Sequence, residues 1–288
     1  MRTKAPVVWL ALATSAVLAA TFAPPVSAAS PAKFHRYVAL GDSYAAITDL
    51  TRLHGTPGCF RSTDNYPSLV AADLGVTSFT DASCSSATTA HMTTAQSTGF
   101  GTNPPQFDSL TADTDLVTVT IGANDLDLMT LLGTCAALSV TDPVGNPCQR
   151  YYTSGGVDQI AARIDQVKPK VAAVLDGIHQ RAPKARIIVV GYLPLLPPTR
   201  GCWPAVPMSV GDVPYAHQIQ TSFNAALVAE AAAHQAVAVD PSGITGHDSC
   251  QPPGTRWVEP VIPASPTTPF HPNTTGTPHL ANLIAATA

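Results

Sequence analysis

Charge is scarce in this sequence. Asp, Glu, Lys and Arg make up 12% of its 288 residues, and the net charge is -4. Without a basic excess there is no electrostatic footprint for a phosphate backbone, which excludes nucleic acid as a partner. No Gly-rich phosphate loop or dinucleotide fingerprint occurs, so no nucleotide cofactor is implied. None of the six cysteines stands in a C-x-x-C arrangement, which argues against a structural zinc or a redox pair. Asp108, Asp113 and Asp115 lie close together without the spacing of a calcium loop. No metal and no other cofactor is expected. Internal repeats are absent. Outside the N-terminal segment, no stretch is long and apolar enough to span a bilayer.

That N-terminal segment carries a processing signal. Arg2 and Lys4 give a positive start, residues 7–20 are apolar, and Val26-Ser27-Ala28 precedes Ala29 with the small residues of a cleavage site. The apolar run is short for an anchor, and Pro24 and Pro25 follow it. A signal peptide over residues 1–29 is expected, followed by a single domain over 30–288, secreted to the extracellular space as a monomer. In that oxidising setting the cysteines should form three structural disulfides. Six cysteines allow about fifteen connectivities. Pairing sequence neighbours joins Cys59 to Cys84, Cys135 to Cys148 and Cys202 to Cys250.

Along the chain, strand patterns alternate with helix patterns. Residues 37–40 form a short apolar run that meets Gly41-Asp42-Ser43, as a buried strand entering a tight turn does. A helix is expected at 65–74, a strand at 76–82, a short helix or turn at 104–110 and a strong strand at 116–121. A helix then opens at 126–132, and a loop holds Cys135, Pro143, Gly145, Pro147 and Cys148. Residues 157–181 have helical spacing, with Pro169 expected to kink or split them. A strand at 185–191, a Pro-rich loop at 193–214, a helix at 215–234, a strand at 236–240, a long loop to 270 and a helix at 273–286 complete the chain. This order predicts an α/β fold, a parallel sheet with helices on both faces.

Four polar segments fall at the carboxyl ends of strands or in adjoining loops, where such sheets bind ligands. They are Gly41-Asp42-Ser43, Ser85-Ser86, Gly122-Ala123-Asn124-Asp125 and Phe270-His271-Pro272-Asn273. Ser43 offers a hydroxyl, and His271 a base with a pKa near neutrality. Asn124 offers an uncharged amide donor for an oxyanion. Together they are what acyl transfer through a serine ester requires. Other polar residues have plainer readings. Asp42 is a turn residue, Asp125 and Asp240 are caps, Glu259 is a remote substitute acid, and His247 and His279 are loop or surface residues. Asn273-Thr274-Thr275 is a glycosylation sequon by pattern.

The set resembles the SGNH hydrolases, the GDSL-type esterases and lipases. Gly-Asp-Ser-Tyr at 41–44, Ser83-Cys84-Ser85-Ser86-Ala87-Thr88, Gly-Ala-Asn-Asp at 122–125 and His271-Pro272-Asn273 occur in the family's order. Gly246-His247-Asp248-Ser249-Cys250 is similar to a disulfide-bearing loop of secreted bacterial members. The resemblance implies a three-layer α/β/α fold with a flavodoxin-like, five-stranded parallel sheet. It implies Ser43 as nucleophile and His271 as base. The Ser43 and Ser86 N–H groups and the Asn124 side chain would form the oxyanion hole, acting on a small-molecule or lipid ester. Four departures stand out. Ser86 occupies the second-block glycine position, Ile47 another glycine position, and Thr277 a position where a second histidine is common. Thr268 stands in place of the usual acid, and its main-chain carbonyl is expected to orient His271. Two rival readings remain open: a carbohydrate acetylesterase using the same site, and a catalytically silent binding protein of the same fold.

Overall fold

The computed structural model describes Met1 and residues 33–288, and the expected signal peptide lies outside the described residues. Five strands form a parallel sheet: β1 (Arg36–Gly41), β2 (Ser78–Asp81), β3 (Leu116–Thr120), β4 (Arg186–Val190) and β5 (Val237–Val239). Their spatial order is β2-β1-β3-β4-β5. The order reverses between β1 and β3, the topological switch point at which open α/β sheets place their ligand crevice.

β3 explains why the sheet centre is so well specified. Its sequence Leu-Val-Thr-Val-Thr is buried along its whole length, as expected for a parallel strand covered on both faces. The two threonines bring hydroxyls into that core, and each finds a partner. The Tyr37 hydroxyl lies 2.6 Å from Thr118 Oγ1 and the Tyr66 hydroxyl 2.8 Å from Thr120 Oγ1. The hydroxyls therefore escape the penalty of a buried, unpaired polar group.

Among the described residues seven α-helices accompany the sheet: α1 (Ser43–Ala46), α2 (Tyr66–Asp73), α3 (Leu128–Thr141), α4 (Pro147–Thr153), α5 (Gln159–Arg181), α6 (Val213–Ala233) and α7 (Gly276–Thr287). Two sequence expectations need correcting. α5 is not split at Pro169; Pro169 and Asp165, whose carbonyl a proline leaves without its helical partner, are both exposed residues. The expected loop between Cys135 and Cys148 is largely helical: α3 extends past Cys135 and α4 holds Cys148. Leu131, Cys135 and Ser139 fall on one stripe of α3. Leu131 and Cys135 pack there with Tyr152, Ile160, Leu196, Met208 and Tyr215 in a second apolar cluster. This tertiary packing overrides weak local propensity.

The disulfides are Cys59–Cys84, Cys135–Cys148 and Cys202–Cys250. Ala32–Ala288 forms one compact unit, and among the described residues no helix is long and apolar enough to cross a membrane.

Candidate active site

β1 ends at Gly41, whose φ is +147°. A Cβ there would lie 2.6 Å from the Thr120 carbonyl oxygen, so only glycine keeps β1 against β3 into the turn. The Gln106 side chain accepts from the Gly41 N–H at 2.7 Å and donates to its carbonyl at 2.8 Å. Asp42 N–H donates to the Thr120 carbonyl at 2.9 Å. The Asp42 carboxylate then caps α1 by accepting from Tyr44 N–H at 2.9 Å. The backbone carrying Ser43 is thereby held from both sides, and the residue remains partly exposed.

His271 arrives from the far end of the chain. Its Nε2 lies 2.7 Å from Ser43 Oγ, and its Nδ1 lies 2.7 Å from the Pro269 carbonyl oxygen. This network assigns the ring proton to Nδ1, leaving Nε2 free to accept from the serine. The orienting carbonyl is therefore that of Pro269 rather than Thr268. The Thr268 carbonyl instead accepts the His271 backbone N–H at 3.3 Å. The reason is local: Phe270 sits at φ +64°, and this tight turn brings the carbonyl two residues before His271 onto its own ring. Burial of the ring holds the His271 pKa below its ordinary value of 6.5, and the Pro269 carbonyl offsets only part of that.

The loop carrying His271 is fastened by Glu259. Its buried carboxylate accepts from Arg256 at 2.6 Å, Asn273 Nδ2 at 2.7 Å, Ser265 Oγ at 2.7 Å and Ala264 N–H at 2.8 Å. Burial raises its pKa, but these hydrogen bonds outweigh that and hold it below the ordinary value. Glu259 thus does not touch the imidazole; it braces the loop. Asn273 is itself buried and bonded to Arg256 and Glu259, so its sequon is closed to a glycan.

The oxyanion candidates Ser43, Ser86 and Asn124 all line one cavity. Ser86 has φ +64°, a left-handed conformation that suits glycine; serine holds it at a cost of about 1–2 kcal/mol. Among the described residues, neither the Ser43 N–H nor the Ser86 N–H has an acceptor. Asn124 Nδ2 donates one hydrogen to the Ala87 carbonyl at 2.9 Å, and the amide's second hydrogen is left for the cavity. Asp125 does not cap α3. Its carboxylate accepts from Thr89 N–H at 2.9 Å and Thr89 Oγ1 at 2.7 Å. The asparagine turn and the Ser86 turn are therefore tied together by two adjacent residues.

The remaining candidates lie elsewhere. Asp240 caps a 3₁₀ turn by accepting from Ser242 N–H at 2.9 Å. His247 and His279 stack on Trp257 at centroid distances of 4.1 and 4.4 Å and do not line the cavity at Ser43. Thr277 Oγ1 pairs with Thr48 Oγ1 at 3.0 Å, fixing the start of α7. Ile47 is buried and forms part of the cavity wall.

Ser43, Ser86, Asn124 and His271 open into a cavity of about 300 Å³. Its wall is overwhelmingly apolar, built by Leu126 and Leu131, Ile160 from α5, Met208, and Ile219 and Phe223 from α6. The sequence reading missed this cavity, because its wall is drawn from many separate segments with no shared local pattern. It also missed Gln106, Pro269 and Tyr192. A tyrosine directly after the Val190-Gly191 strand end was the available signal for the last.

Known proteins give an independent comparison. The family described as GDSL-like Lipase/Acylhydrolase matches residues 39–277. A relative named Lipase 2 from Streptomyces coelicolor is 40% identical, with 85% of this chain and 83% of the relative covered. The crystal structure of an extracellular lipase from Streptomyces rimosus superposes with a TM-score of 0.69 at 26% identity, covering 88% of this chain and 98% of that one. The structure of a phospholipase A1 from Streptomyces albidoflavus gives 0.68 at 25% identity, with the same coverage.

Proposed function

The chain belongs to the GDSL-like lipase/acylhydrolase family and is an ester hydrolase, and from that premise we propose that it is a secreted lipase that works through an acyl-enzyme on Ser43. The observation that carries this reading is the 2.7 Å contact between Ser43 Oγ and His271 Nε2 at the mouth of an apolar cavity. His271 takes the serine proton as Oγ attacks the ester carbonyl. The oxyanion that forms is held by the N–H groups of Ser43 and Ser86 and by the Asn124 amide. The imidazolium, its Nδ1–H on the Pro269 carbonyl, returns the proton to the leaving alcohol. Water, deprotonated by the same ring, then releases the acid and restores Ser43.

Secretion is supported by the positive, apolar N-terminal segment, by the three disulfides and by the extracellular relative. The apolar wall favours a fatty acyl chain over an acetyl group. Each methylene buried contributes about 0.8 kcal/mol, roughly fourfold in kcat/KM if that contact is kept in the transition state. A series of nitrophenyl esters should therefore show kcat/KM climbing from acetyl to medium-chain substrates. A maximum at acetyl would instead favour the carbohydrate acetylesterase reading. A fluorophosphonate probe should label Ser43 in the folded protein, and no adduct would favour the silent binding protein.

The pH dependence has a defined sign. Only neutral His271 accepts the serine proton, and burial lowers its pKa, so the pH must fall further before the base is lost. The acid limb of kcat/KM against pH should have its midpoint below 6.5. A midpoint at or above 7 would assign that limb to another group.

A further inference from the structure

Tyr192 follows β4 and belongs to none of the four polar segments that the sequence singled out. It is buried, and its hydroxyl stands between two of them. It donates to Asp42 Oδ2 at 2.6 Å and accepts the Ala123 N–H at 3.3 Å. Asp42 immediately precedes Ser43, and Ala123 immediately precedes Asn124. We propose that Tyr192 is a positioning residue for ester hydrolysis, its hydroxyl setting the spacing between the serine turn and the asparagine turn.

The bridge is built to be rigid. The Tyr192 ring packs edge-on against Tyr44 at 4.9 Å and stacks on Phe223 at 5.6 Å. Its backbone is clamped by the Asn224 side chain, which accepts from Tyr192 N–H at 2.9 Å and donates to its carbonyl at 2.8 Å. Burial first, and the neighbouring Asp42 second, keep the phenol pKa well above its ordinary value. The phenol therefore retains its proton and remains the donor to Asp42, with a lone pair left for Ala123.

The asparagine turn needs such a tie. It starts from Gly122 at φ +111°, a residue with no side chain to hold it, and the Ala123 N–H is buried with the Tyr192 oxygen as its acceptor. Without the hydroxyl that N–H loses its partner, and the turn can shift to find another. A displacement of this kind moves Asn124 relative to the oxyanion, and small misplacements at a reacting centre cost rate rather than substrate affinity.

The inference rests on the proposed serine mechanism. Its test is a double-mutant cycle of Tyr192→Phe with Asn124→Ala, read as kcat and KM on one medium-chain ester. Phenylalanine keeps the ring packing and removes only the bridge. Tyr192→Phe alone should lower kcat about 10-fold with KM unchanged. In the Asn124→Ala background the same change should cost less than about twofold, because the group being positioned is gone. Wild-type kcat in Tyr192→Phe, or an equal loss in both backgrounds, would overturn the positioning role. Full activity in Asn124→Ala would instead remove the oxyanion reading beneath it, so the two failures are distinguishable.

Discussion

Replacement of Ser43 by alanine should abolish ester hydrolysis, lowering kcat by up to ~10⁶. On the proposed mechanism Ser43 Oγ makes the bond that splits the reaction into two steps, and no other hydroxyl can stand in for it. Ser86 lines the same cavity, but among the described residues its hydroxyl makes no hydrogen bond to His271, whose Nε2 is aimed at position 43, so it has no base placed on it. The fold should not suffer. Ser43 is partly exposed, and its hydroxyl bonds only His271 among the described residues; the cap on α1 comes from Asp42. Kinetics on a soluble ester, with the melting temperature measured alongside, separates chemistry from stability. Full activity at an unchanged melting temperature would end the serine mechanism and, with it, the roles given to His271 and Asn124.

The second large effect is expected at Asn124. On the proposed mechanism its amide is the side-chain donor in a set of three, the other two being the Ser43 and Ser86 backbone N–H groups. Asn124→Ala should lower kcat by about 10²–10³ with little change in KM. The split follows from when the bond is made. An uncharged ester oxygen gains little from the amide, whereas the oxyanion of the tetrahedral intermediate gains most of its worth. Alanine also removes the bond from Asn124 Nδ2 to the Ala87 carbonyl. The Ser86 turn nevertheless keeps its second tie, since Asp125 still holds Thr89. A rise in KM with kcat unchanged would place Asn124 in substrate binding and not in the hole.

Ser86 shows how a departure from the family pattern can be accommodated. The left-handed backbone there suits a glycine, yet the function proposed for the residue uses only its N–H. A serine can supply that N–H if the surroundings hold the strained turn. They do so through the Cys59–Cys84 disulfide just before it and the Asn124 and Asp125 contacts just after it. The missing acid at Thr268 is a comparable case. A main-chain carbonyl takes over the ring N–H, but it is Pro269 that supplies it.

Read alone, the sequence settled what depends on neighbours along the chain. The run of β-branched residues in β3, the helical spacing in α5 and the polar turns at 41–43 and 122–125 each declare their element through short-range sterics and periodic burial. The pairing of cysteines in sequence order came from the same local view, and all three pairs occur. Tertiary structure decided everything that needs two distant segments to meet. Ser43 and His271 are 228 positions apart and meet at 2.7 Å. The apolar cavity draws its wall from α5, α6 and the segments around α3. Tyr192 joins two turns to which it is unrelated in sequence. α3 continues past Cys135 because its stripe has an apolar cluster to pack on, and α5 is not split at Pro169, an exposed residue. In each case the deciding free energy is burial or hydrogen bonding between elements, and a local pattern carries no information about which surface the chain will later fold against it.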